Sequence, residues 1–69
     1  MSSKVLHMKV CDVLRNLPPS RSVVIADLEG QPLEEGIAGG LLDESMYLDH
    51  PAVYTENDLP FIIMAGIAV

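Results

Sequence analysis

The sequence closes on "FIIMAGIAV", a run after Pro60 with no charge and no side-chain amide. A strand with one wetted face alternates apolar and polar residues, because successive side chains point to opposite sides of a sheet. Neither 61–69 nor the shorter run Val23, Val24, Ile25 and Ala26 alternates. Both faces of these strands are therefore expected to be dry, and two dry faces need two covering layers.

One covering layer is legible. In "KVCDVLRNL", at roughly 100° per residue, Val10, Val13, Leu14 and Leu17 gather on one face while Lys9, Asp12, Arg15 and Asn16 take the other. This predicts an amphipathic helix over about 9–17, ended by Pro18-Pro19, whose rings supply no amide hydrogen and disfavour helical geometry at Leu17. The β-branched residues that follow predict a strand over 22–27 and then a turn in which Gly30 takes a positive φ. Further strands are expected at 52–56 and 61–69, and 4–8 is read as either another strand or an extra helical turn. Gly36, Gly39 and Gly40 disfavour a long helix, although Leu41, Leu42, Ser45, Met46 and Leu48 allow a short one over 41–48. The expected fold is α+β in a single domain, 1–69: one helix on a small, mostly antiparallel sheet of three to four strands.

A lone helix shelters one face of such a sheet. The other falls either to the 40–48 segment or to a second copy of the chain. A chain of 69 residues buries only about 60% of its unfolded surface. With 49% hydrophobic residues in so small a body, a homodimer is expected, with Phe61, Ile63, Met64 and Ile67 as its self-association residues. Gly66, inside the last run, marks a bulge or a close backbone approach.

The stretch from Met8 to Glu34 resembles the opening of small uncharacterised helix-then-sheet proteins of phages and bacterial genomes. The matching residues are Val10, Asp12, Val13, Leu14, Leu17 and Pro18 of the helix pattern, then Val23 to Asp27 and Gly30 of the β-rich run. The resemblance implies a helix-then-sheet fold and the setting of a phage or bacterial accessory protein. It carries no catalytic residue with it.

Charge separates the two parts of the chain. Lys4, Lys9, Arg15 and Arg21 against Asp12 leave the first 21 residues at +3; the rest holds nine carboxylates and no Lys or Arg, which gives the −6 of the whole. Such a surface repels phosphate, so nucleic acid is not an expected partner, and a protein with a basic surface is. Glu34, Glu35, Asp43, Glu44 and Asp49, with the amphipathic Tyr47 and Tyr54, are the expected partner-binding residues. The amino terminus lacks the apolar core of a secretory leader, and the last run is far shorter than the roughly 20 residues that span a bilayer. The single Cys11 forms no intrachain disulfide. A cytoplasmic protein, with no membrane association, is expected.

Few residues offer chemistry. Cys11 would need a neighbouring base or cation to act as a nucleophile, and His7 is adjacent to it only if one helix runs through both. His50 follows Asp49 in a turn, and the pairs Glu34-Glu35 and Asp43-Glu44 point their members apart rather than into a shared site. "GIAGG" has neither the spacing of a dinucleotide fingerprint nor the lysine of a phosphate loop. No enzymatic activity, metal or cofactor is expected. The function read from the sequence is a homodimeric acidic interaction module, in its sharpest form a phage or mobile-element inhibitor that occupies a basic surface of a host protein. The alternative is a small-molecule or metal-binding module built on His7, Cys11 and His50.

Overall fold

The computed structural model describes residues 8–67. The expected strand or turn at 4–8 lies almost wholly outside them, as does His7. The chain runs α1 (Val10–Arg15), β1 (Ser22–Ala26), β2 (Pro32–Ile37), α2 (Ala38–Glu44), β3 (Ala52–Glu56) and β4 (Phe61–Ala65). The strands form one four-stranded sheet in the order β2-β1-β4-β3. The β1–β2 and β3–β4 pairs are antiparallel and the central β1–β4 pair is parallel. This is an α+β fold, as the residue pattern predicts.

The two apolar runs occupy the two central strands, the positions with least access to water. Along β4, burial alternates: Phe61, Ile63 and Ala65 are buried and Ile62 and Met64 only half so. Val23 and Ile25 of β1 join them, and against this face pack Val10, Val13 and Leu14 of α1 and Ala38 and Leu41 of α2 in one core cluster. Both helices therefore lie on the same side of the sheet. The expectation that both faces are dry is corrected here: the 38–44 segment thickens the layer that α1 began, and no helix or loop of the described residues forms a layer on the opposite face.

Local contacts explain that choice of side. The amides of Val10 and Cys11, free at the start of α1, donate to the carbonyls of His50 (2.9 Å) and Leu48 (3.1 Å). The amide of Lys9 donates to the Asp12 carboxylate at 3.1 Å, so the helix is capped from within and from the 48–50 loop. α2 starts at Ala38, earlier than expected, and runs through Gly39 and Gly40. Gly39 lies so close to the Pro18-Pro19 corner that a Cβ there would sit 3.1 Å from the Pro19 Cβ, and its amide donates to the Pro19 carbonyl at 2.9 Å. The amide of Ala38 likewise donates to the Arg21 carbonyl at 2.9 Å. Gly39, one of the glycines that argue against a helix in isolation, is what lets this one dock beside the end of α1.

β2 is the element the sequence reading lacks. Its residues are almost all exposed, as suits an edge strand, with Glu34 and Gly36 facing the helices and Glu35 and Ile37 the open side. The β1–β2 turn is held by the Asp27 carboxylate, which accepts the amides of Glu29 and Gln31 at 2.9 and 3.0 Å, and by Gly30 at φ 88°. Arg21 fastens the other end of the sheet. Its guanidinium lies 5.6 Å from the Phe61 ring centroid and donates to Asn57 Oδ1 and the Asp58 carbonyl at 2.8 and 2.7 Å.

Candidate functional site

Residues paired across a ladder share a face, so the register defines the uncovered side. Glu35 pairs with Val24, Val24 with Ile62, and Ile62 with Glu56. One row thus crosses all four strands as carboxylate, apolar, apolar, carboxylate. The next row runs Ala26, Met64, Tyr54. At about 4.8 Å per strand, the Glu35 and Glu56 backbones stand roughly 14 Å apart across the strip. Val24, Ile62 and Met64 are half-buried and Ala26 is buried, while Ile37 and Tyr54 are exposed.

The loop before β4 raises one wall beside this strip. Leu59, 85% exposed, and Pro60 close a shallow depression of about 460 Å³ whose floor and far side include Ser22, Val24, Glu35 and Ile37. No basic side chain stands on this face among the described residues. Lys9 precedes α1, Arg15 is on α1 and pairs with Asp12 at 3.3 Å, and Arg21 is held by Phe61 and the 57–58 turn. The Tyr54 hydroxyl donates to Glu56 Oε2 at 3.3 Å. The negative charge of Glu56 raises the phenol above its ordinary value of 10.0, and this hydrogen bond, burial and the charge of Asp58 add to the effect.

The expected partner-binding residues divide between the two sides. Glu35 and Tyr54 stand on the open face. Glu34 turns toward the helices, where its Oε2 accepts the Met46 amide at 3.2 Å and its Oε1 is buried without a partner. Asp43 and Glu44 end α2, and Asp49 is exposed in the connection to β3. Tyr47, in the same connection, packs against the core, its ring 5.6 Å from that of His50. Of the expected self-association residues, Phe61 and Ile63 are buried beneath the helices and Ile67 packs partly against the core. Met64 alone of the four faces the open side.

The backbone bonds from Val10 and Cys11 bring that segment against 48–50. The half-buried Cys11 thiol, however, has a carboxylate as its neighbour, Asp12 Oδ1 at 4.0 Å. No group of three His, Cys, Asp or Glu residues suited to a metal ion occurs among the described residues. Among those residues, too, no helix is long and apolar enough to cross a membrane.

Sequence reasoning missed Val24, Ile62, Glu56, Ile37 and Leu59 as surface residues. Only the strand register sets the first three in one row, and nothing in a lone strand's composition gives its register. No protein-family model, curated protein or solved structure matches this chain.

Proposed function

We propose that this chain is a non-enzymatic interaction module that receives a basic protein surface. The row Glu35, Val24, Ile62, Glu56 carries the reading: a half-buried apolar strip on the side away from both helices, edged by exposed carboxylates and free of cations among the described residues. An exposed apolar patch with a polar rim is the usual form of a protein-binding site. The acidic helix side, with Asp43, Glu44 and Asp49, extends the field that draws a basic partner in. In the setting that the 8–34 resemblance implies, the module is an accessory protein of a phage or bacterium, and its sharpest form is an inhibitor that covers a nucleic-acid-binding surface of a host protein. Self-association would use Met64 rather than Phe61 or Ile63, which the helices already cover.

Calorimetric titration with a lysine homopolymer tests the electrostatic core of this reading. Binding is expected at low salt and should weaken at several hundred millimolar, as charge screening requires. Absence of binding at low salt, or binding indifferent to salt, would contradict it.

The backbone bonds that join the 10–11 segment to 48–50 favour a second reading, a small-molecule or metal-binding module on Cys11, His50 and His7, the last of which lies outside the described residues. Thermal melting with zinc and with chelator decides it, because a ligand of the native state raises the midpoint. An unchanged midpoint would remove this reading.

A further inference from the structure

We propose that the uncovered sheet face is the seat of a short cationic amphipathic helix: a partner segment with an apolar stripe flanked on both sides by Lys or Arg. The proposal rests on the interaction-module reading and names the surface and the form of the partner.

Shape comes first. Five residues per strand at about 3.3 Å and four strands at about 4.8 Å give a face of roughly 17 by 19 Å, near 300 Å². A stable dimer covers about 800 Å² on each partner, far more than this face provides. A helix about 10 Å across fits between Glu35 and Glu56, whose backbones are separated by roughly 14 Å, and three turns of it span the length of the strands. Its apolar side chains at i, i+3, i+4 and i+7 would lie along Val24, Ile62 and Met64. The depression beside Leu59 can receive one larger anchor.

Charge makes the same choice. A second copy stacked on the face would bring Glu35 and Glu56 against their own kind, with no cation of the described residues on that face to offset them. Edge-to-edge pairing is also disfavoured. β2 begins at Pro32 and carries Glu34 and Glu35, and β3 is interrupted at Val53, where its register with β4 shifts. A helix with basic flanks meets a carboxylate on each side of its apolar stripe.

The test uses three labelled synthetic peptides of about 14 residues: a Leu/Lys amphipathic helix, a scrambled peptide of the same composition, and a Leu/Glu counterpart. Fluorescence anisotropy against the full chain follows binding, with light scattering for mass. So small an interface predicts a micromolar Kd for the Leu/Lys helix, at least tenfold weaker binding of the scrambled peptide and none of Leu/Glu. Leu59→Asp and the double variant Glu35→Lys with Glu56→Lys alter exposed residues, leave the core intact by circular dichroism, and should each weaken binding about tenfold or more. Ile62→Asp should abolish it if the chain folds. Scrambled and helical peptides bound equally, with these variants without effect, would overturn the helix site while the basic-partner reading survives. No binding of any cationic peptide would overturn both. A dimer by light scattering that Leu59→Asp dissociates would show that a second copy is the occupant, and would overturn the proposal as well.

Discussion

Single residues hold the open face in its observed form. Glu56 both rims the strip and raises the Tyr54 phenol above its ordinary value. Because the folded chain raises this group above its ordinary 10.0, the fold favours the neutral phenol, and stability falls as pH climbs through and beyond that value. In a Tyr47→Phe background, tyrosinate absorbance should titrate above the ordinary value and move back toward it in Glu56→Gln; an unchanged midpoint in that variant would sever the link. Gly66 acts sterically. A Cβ there would lie 3.0 Å from Pro51 Cγ and 3.1 Å from Val53 Cγ2, and its amide donates to the Pro51 carbonyl at 2.8 Å. Gly66→Ala should cost about 1 kcal/mol and lower Tm by roughly 5 °C, the modest end of overpacking because Pro51 and Val53 are exposed and can give. Of the bulge or close approach expected at Gly66 within the last strand, the structure has the close approach, to the start of β3 of the same chain and just beyond the end of β4.

At the scale of elements, β4 is two strands in one. Its buried set, Phe61, Ile63 and Ala65, belongs to the core, and its half-buried pair, Ile62 and Met64, belongs to the outer surface. Ile63→Ala should therefore cost about 2–5 kcal/mol. Met64→Ala, which opens no cavity, should cost about 1 kcal/mol or less. Chemical denaturation of the two variants measures the difference; equal losses would mean that the outer side is as tightly packed as the inner. This division also marks how far the sequence was legible. Apolar runs placed β1 and β4, and helical periodicity placed α1, because burial on the inner face dictates residue type. β2 escaped, since an edge strand with Glu34 and Glu35 meets no such demand. The early start of α2 escaped because Gly39 is set by contact with Pro19, a neighbour remote in sequence. The open strip was hidden by its own composition: Val24, Ile62 and Met64 are apolar, and apolarity does not say whether a layer of the same chain or another molecule covers a side chain.

At the scale of the whole molecule, two helices on one side of four strands give the described residues two unlike faces, a sheltered core face and a half-buried apolar strip edged by carboxylates. Salt should weaken every association made through that strip, since Glu35 and Glu56 are solvent-exposed and screened within about 10 Å at 0.1 M. The most direct measurement is a methyl and amide NMR titration of the full chain with the Leu/Lys helical peptide. The account predicts shifts confined to Val24, Glu35, Ile37, Tyr54, Glu56, Leu59, Ile62 and Met64, while Val10, Leu14, Ile25 and Ile63 stay unmoved. Shifts centred on α1 and α2, or open-face methyls that show no solvent exposure in the free chain, would contradict it.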